Sequence, residues 1–506
     1  MKRTVVFLVL VTLALVAVGA WANGGKEAGA TGAATVDVSK LAPYSLVWYM
    51  RGRGVEKDEA LVEDAINKYI KPKINATIKI INFDRGAYPD KMTAIVASGE
   101  AFDMGFTASW VLNYAQFAQK GAFVALNDPK NNLEQKYLQG TVKALGADYY
   151  NGSLLNGLHY AIPVNKEHAH SYGLLLRKDI LDKYKLDASK ITTLAGMEPI
   201  FQAVKDKEPD MIPLQGNANN SGFQSLDWAM PLGRRVPVVM YMTGKDLKVY
   251  NLLDRPETQA YWALARKFYL EGFVRKDAAS TEDYTPDLAS GKLFATWAVT
   301  HPGALGETQA AFGFPFYQVT FTPPVITNDE TMGAMNFISI TSKDKDRAAM
   351  FMELENTDEY VNNLVAFGIE GTHWVKTSTG QIDFPKGVTA QTSGYVPAIS
   401  WAFGNQFLNH LWTTEPLDKW QRYLAYNAQA VPSTSLGFLP IDESIKTEVA
   451  ALNNAWAEFI PGLESGSTDP AIYVPRAAAR FKEAGIDKVI AEIQKQFDAW
   501  HAAQMK

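Results

Sequence analysis

Tyr44-Ser45-Leu46-Val47-Trp48-Tyr49 opens the stretch on which the fold turns, and Phe102-Asp103-Met104-Gly105-Phe106 closes it. Between them the hydrophobic period changes repeatedly. The first six residues are apolar and aromatic, as in a buried strand, and Gly52 and Gly54 break them. Leu61, Ala65, Ile66 and Tyr69 recur at helical spacing, predicting a helix over 59–70. Ile74, Ala76, Ile78 and Ile80 alternate, predicting a strand over 74–83. A second helix is expected over 88–97, stopped by Ser98-Gly99, before a short strand over 102–106. Strand, helix, strand, helix, strand predicts a parallel α/β sheet with helices on its faces. Ligands in such folds sit beyond the C-terminal strand ends. Here those ends are Tyr49–Arg51, Asp84–Arg85 and Thr107–Trp110.

Beyond Pro163 the alternation resumes. An apolar run at 172–176 precedes helices expected at 177–184, 193–206 and 258–269. A strand is expected over 293–299, ending at Thr300-His301-Pro302-Gly303. After Pro323-Pro324, a strand over 334–340 and a helix over 347–364 are expected; 388–436 reads as mixed. Helices at 448–459, 474–484 and 486–501 make the C-terminal region helical. No repeat, heptad or long linker divides the chain, which favours lobes built from discontinuous segments and a hinge of two or more crossings.

The other end of the chain carries an export pattern. Lys2 and Arg3 precede the apolar run Val5–Val18, and Ala20-Trp21-Ala22 has the small-residue spacing of a cleavage site. Residues 1–22 are therefore expected to be a signal peptide cut before Asn23, and 23–41 a flexible lead. Losing Lys2 and Arg3 takes the formal charge from −5 to −7, and no basic block offers a face to nucleic acid. The absence of cysteine excludes disulfides, cysteine metal sites and an acylated N-terminal cysteine. A chain of 506 residues buries a large core without such staples.

Enzyme signatures are weak. His159, His168 and His170 lie close in sequence, but the last two, being two apart, would face different sides of a helix. On a strand or loop they stay open as metal ligands. No P-loop, dinucleotide fingerprint or nucleophile elbow occurs, and no cofactor is expected. Asp84, Asp103, Asp227, Glu370 and Asp442 could be paired as glycosidase carboxylates in many ways, so none is singled out. The 12 Trp, 22 Tyr and 25 Phe point elsewhere, because several stand beside polar or turn residues. A flat ring covers the C–H face of a sugar while polar side chains bond its hydroxyls. Capture without chemistry leads over two alternatives, a carbohydrate-active enzyme and a sensory receptor.

Longer motifs narrow the class. Ile95-Val96-Ala97-Ser98-Gly99-Glu100-Ala101-Phe102-Asp103 is followed by Phe106-Thr107-Ala108-Ser109-Trp110, and then by Tyr160-Ala161-Ile162-Pro163 with Asn165-Lys166-Glu167. Phe367-Gly368-Ile369-Glu370-Gly371-Thr372-His373-Trp374 and Ala484-Gly485-Ile486-Asp487-Lys488 continue the series. In this order the chain resembles the large extracellular solute-binding proteins related to the lipoprotein LipO, with their C-terminal domain of formerly unknown function. The resemblance implies a periplasmic-binding-protein-like fold of two α/β lobes joined by a multi-crossing hinge. Lobe one would take 42–165 and 326–390; lobe two would take 166–325 and 391–506. It also implies a monomeric receptor that delivers a small polar solute, a mono- or oligosaccharide, to the permease subunits of an ABC importer; the missing cysteine departs from the lipoprotein pattern and leads to the expectation of a free periplasmic form. The candidate ligand shell is Trp48, Tyr49, Arg51, Ser109, Trp110, Lys166, Glu167, His170, Trp228, Trp297, Trp401 and Asn405.

Overall fold

The structure, a computed structural model, describes residues 37–504 except 217–224, 234, 245, 282–283, 391 and 442. The expected signal peptide and most of the lead lie outside the described residues. Where the lead enters them, Asp37 caps a short 3-10 helix, Val38–Lys40, rather than continuing a loose tail.

The decisive stretch folds as strand, helix, strand, helix, strand. Tyr44–Gly52, Ala76–Asp84 and Met104–Thr107 lie in one sheet, the first pairing with both others in parallel. The helix Glu59–Ile74 buries Val62, Ile66, Ile70 and Ile74, one face at four-residue spacing. It runs four residues past the expected end because Pro72 falls in the last turn and Asn75, in the left-handed region, closes it (φ 45°). The strand therefore starts at Ala76, not at Ile74. The second helix, Tyr88–Ser98, ends at Gly99, whose φ of 72° is the conformation glycine adopts without a Cβ penalty. The sheet is not wholly parallel. Met335–Ile338 returns from far along the chain and pairs antiparallel with Met104–Thr107 on one side and Ile162–Pro163 on the other.

A second sheet orders Phe316–Thr320, Ser171–Arg177, Leu293–Thr300 and Ile212–Leu214. Its first two pairings are antiparallel and the last is parallel. Gly173 is required in it, since a Cβ there would stand 1.9 Å from the Val319 carbonyl oxygen. Each sheet has its own apolar core. The first gathers residues from Leu46 to Ala169 and from Ile326 to Phe403. The second gathers residues from Leu174 to Val319 and from Phe438 to Phe497. The C-terminal helices Lys446–Glu464, Pro470–Glu483 and Ile486–Gln504 all pack into the second core. Tyr395, Ile399, Ala402 and Phe403, counted with the second lobe by the sequence reading, belong instead to the first core. Tyr395 Oη there donates to the Val365 carbonyl at 2.9 Å.

The backbone passes between the cores along adjacent segments. His170 pairs with Val325, while Val325 and Ile326 pair in parallel with Val431 and Pro432. Asn165 pairs with Asn405 just before the first passage.

Candidate ligand-binding site

Alternation along Tyr44–Gly52 puts Tyr49 and Arg51 on the same face. Tyr49 is buried, stacks on Phe83 at 5.3 Å and donates from Oη to Glu100 Oε1 at 2.8 Å. Burial first, then Glu100, pushes its pKa up to about 12. Arg51, two residues on, reaches the C-terminal edge of the sheet. Its guanidinium carbon stands 4.8 Å from the Trp110 ring centre and 5.8 Å from that of Trp401. The two indoles are 6.2 Å apart and inclined by 30°, with Phe106 behind both. Trp110 is 54% exposed, yet its Nε1 is fixed by a 2.8 Å hydrogen bond to the Gly333 carbonyl. An exposed indole held in one orientation suits it to stacking against an incoming ring.

Both loops that carry these indoles are strained. Leu112, two residues after Trp110, has φ 42°, and Ala398, three before Trp401, has φ 50°. Such conformations cost non-glycine residues roughly 1–3 kcal/mol and persist where the surroundings over-determine them. The surroundings do so here. Thr107 Oγ1 donates to the Leu112 carbonyl at 2.6 Å, and Ser109 N to that of Met332 at 2.8 Å. Arg85 Nη2 donates to the Ala398 carbonyl at 3.2 Å, and Arg53 Nη1 to that of Val396 at 3.4 Å.

The loop that bears Trp110 also reaches a cavity of about 330 Å³. Ser109, Asn113 and Met332 line it from the first core's side, Trp228 and Met242 from the second, and His170 from the crossing. This volume is at the low end of small-molecule sites, roughly 300–1,000 Å³. Trp228 is buried against Tyr241 at 4.7 Å, and its Nε1 has no hydrogen-bond partner among the described residues.

The crossing itself is polar and fully engaged. Lys166 and Glu167 form an ion pair. Burial disfavours the Glu167 carboxylate, but Lys166 and His301 beside it hold the pKa below the usual range. His168 stacks on Tyr149 at 3.9 Å, and burial, then Lys166, lowers its pKa to about 4, leaving it neutral at pH 7. His170 Nδ1 lies 2.5 Å from Glu330 Oε1. Burial opposes the charge on Glu330, yet His170 and Thr327 keep its carboxyl low. Asn427 Nδ2 donates to the Lys166 carbonyl at 3.0 Å, and its Oδ1 accepts from His168 N at 2.8 Å.

Of the twelve expected residues, the structure brings Arg51, Trp110 and Trp401 into one platform and Ser109, His170 and Trp228 onto one cavity. Lys166 and Glu167 stand at the crossing as each other's partners. Four placements need correction. Trp48 is fully buried, edge-on to Phe351 and Phe403, because it points to the opposite face of its strand from Arg51. Tyr49 faces the right way but is covered by Phe83 and Phe102. Asn405 is buried and caps a short helix, accepting from Phe407 N at 3.1 Å, while its amide donates to the Asn356 carbonyl. Trp297 is half-buried within the second core's sheet, donating to the Gln215 carbonyl at 3.1 Å, and does not line the cavity. Asn113, Tyr172, Asn328 and Phe438 line the cavity and were not singled out from sequence. Only Asn113, in the loop just after Ser109-Trp110, carried a local signal. Asp103, once a candidate acid, accepts from Tyr44 Oη, Val47 N and Ser342 Oγ. Among the described residues no three of His, Asp and Glu group as metal ligands.

The cavity is lined from both α/β cores, an arrangement suited to holding a ligand between them. Comparison with known proteins agrees: residues 64–371 match the bacterial extracellular solute-binding protein family, and the chain belongs to it. It is a binding protein with a periplasmic-binding-protein-like fold and a helical C-terminal region, not an enzyme. Residues 434–502 match a domain of unknown function, DUF3502. A carbohydrate ABC transporter substrate-binding protein of Streptococcus pneumoniae serotype 4 (strain ATCC BAA-334 / TIGR4) is 29% identical over 440 residues, 85% of this chain and 86% of the relative. The crystal structure of the N-glycan transport solute binding protein NgtS from Streptococcus pneumoniae superposes with a TM-score of 0.80 at 26% identity, covering 90% of this chain and 99% of that one. In complex with Man5GlcNAc the same protein gives 0.67, also at 26% identity, over 91% and 98% of the two chains. Among the described residues no helix is long and apolar enough to cross a membrane.

Proposed function

We propose that the protein captures an oligosaccharide outside the cytoplasm and delivers it to the permease of an ABC importer. The observation that carries this is a cavity lined from both cores, reached by the same loop that bears Trp110 of the Arg51–Trp110–Trp401 platform. Ser109 lines the cavity and Trp110, the next residue, belongs to the platform, which suits a ligand longer than one sugar ring. The importer-associated relative and the N-glycan transport protein support the carbohydrate reading.

In this reading each core is one lobe, and the passages at 165–170, 325–326 and 431–432 are the hinge. Similarity is higher to NgtS without a named ligand (0.80) than to its Man5GlcNAc complex (0.67), which favours an open arrangement of the lobes here. The receptor acts as a monomer in the periplasm, freed by cleavage before Asn23 and without a lipid tether, since the chain has no cysteine to acylate. It falls among the LipO-related members of its family. The test is calorimetric titration of the secreted protein with oligosaccharides selected on a glycan array, followed by mass measurement of its N-terminus. Saturable binding without turnover is expected; failure of every glycan to bind defeats the proposal.

A further inference from the structure

Arg51 is better provided with charge than the platform needs. Its guanidinium touches two indole faces, yet among the described residues it has no ion pair or hydrogen bond, and its Nε is buried without a partner. A guanidinium offers five donors, and buried donors without acceptors are costly. Cation–π contact accounts for the position of the plane but leaves every N–H unused.

Two more guanidinium groups converge on the same loop. Arg85 and Arg53 each give a hydrogen bond to a carbonyl of that loop, at Ala398 and Val396, and neither has a carboxylate partner among the described residues. Asp84 lies nearby, its Oδ1 accepting from the Gly86 N–H at 2.9 Å and its charge acting on Arg51. Glu56 stands there too, its Oε2 accepting from Val396 N at 3.3 Å, so acids offset the neighbouring arginines while the Arg51 donors keep no acceptor among the described residues.

We infer that the oligosaccharide carries an acidic group, a carboxylate or a sulfate ester, and that Arg51 receives it at the rim of the Trp110–Trp401 platform. This rests on the carbohydrate reading above. A guanidinium fork matches both oxyanions in two-pronged geometry, which a neutral hydroxyl cannot exploit.

The experiment compares matched pairs of oligosaccharides differing only in one terminal unit: glucuronate, 6-sulfated glucose, or glucose. Affinities are measured for the parent, Arg51→Met, Arg51→Lys and Trp110→Ala at low and high salt, with the unfolding midpoint of each as a check on folding. The parent is expected to prefer one acidic member by tenfold or more, about 1.4 kcal/mol, with the preference shrinking in salt. Arg51→Met should bring the acidic-to-neutral ratio to about 1, and Arg51→Lys should keep part of it, as a point charge without the fork. Trp110→Ala should weaken all members while retaining the ratio. The uronate and sulfate arms show which oxyanion is read. Equal affinity for acidic and neutral members in the parent, or a parallel loss for both in Arg51→Met, overturns the inference and leaves Arg51 as a support for the indoles. Absence of binding to every member of the set and the array defeats the carbohydrate reading itself.

Discussion

Trp48 and Trp110 show how the same residue type serves opposite ends at the two faces of one lobe. Trp48 is enclosed by Phe351 and Phe403, whereas Trp110 keeps more than half its surface in solvent. Trp110→Ala is expected to weaken ligand binding by about 1–3 kcal/mol, from lost ring contact, with little change in unfolding free energy. Trp48→Ala should cost about 3–5 kcal/mol of stability, and the protein that remains folded should bind normally. Titration and denaturation of both variants check this; a large stability loss in Trp110→Ala would return that residue to the core. Glu355 offers a second test at this scale. It is fully buried, and neither carboxylate oxygen has a partner among the described residues. Burial raises its pKa well above the ordinary value, favouring the protonated form. An acid with a raised native pKa binds a proton that the unfolded chain releases. Its contribution to stability is complete below the unfolded value of about 4.3 and is lost as pH rises through the native one. Glu355→Gln mimics the protonated form, so its stability relative to the parent should grow between pH 5 and pH 9. A pH-independent difference in denaturation midpoint would show that Glu355 finds a partner in solution.

Elements were legible in the sequence wherever the hydrophobic period was local. The first three strands and two helices lie close to where alternation and helical spacing put them, with ends set by Asn75 and Gly99. The stretch 347–364 reads as one helix but forms two, Lys345–Thr357 and Glu359–Phe367. Asp358 breaks it, its Oδ1 accepting from Tyr360 N at 3.0 Å and Val361 N at 3.2 Å. The apolar period continues through such a cap and hides it. What periodicity could not show was facing direction. Trp48 and Arg51 are three apart on a strand and so lie on opposite faces, and only the packed sheet reveals which face is covered on which side. The strained turns were equally invisible, since Leu112 and Ala398 are residue types that rarely take positive φ. Ala398 is exposed, so its side chain contributes little packing. Ala398→Gly should relieve about 1–2 kcal/mol of backbone strain, against roughly 0.4–1 kcal/mol of added chain entropy in the unfolded state. Unfolding free energy is therefore expected to stay level or rise slightly. Ligand affinity should nonetheless fall several-fold, because the loop bearing Trp401 loses its single preferred course. Unchanged affinity would mean that the turn is not what positions Trp401.

The whole molecule has two apolar cores, each gathered from segments far apart in sequence, and which segments join which core was not legible from the pattern. Residues after 390 return to the first core through Tyr395, Ile399 and Phe403, and the chain joins the second only near Phe438. The reason is physical: the crossings are held by backbone pairing, His170 with Val325 and Val325 with Val431, which leaves no mark on side-chain pattern. In the proposed reading, three adjacent extended segments resist twisting yet bend together as a hinge. A ligand that spanned Trp110 on one side and Trp228 on the other would gain contacts as the cores approach, and its differential affinity would favour a closed state. Adding a saturating oligosaccharide is expected to reduce the radius of gyration in solution scattering. The absence of cysteine gives a sharper probe, since labels go only where cysteines are introduced. Leu61, 49% exposed on the first core, and Leu270, 67% exposed on the second, are suitable for Leu61→Cys and Leu270→Cys in one chain. The distance distribution between spin labels at these sites should shift and narrow on binding, while Trp228→Ala, which removes the far contact, should leave a larger open fraction at the same occupancy. If ligand saturates the parent with neither the scattering profile nor the label distance changing, the crossings are a rigid joint and capture occurs without closure.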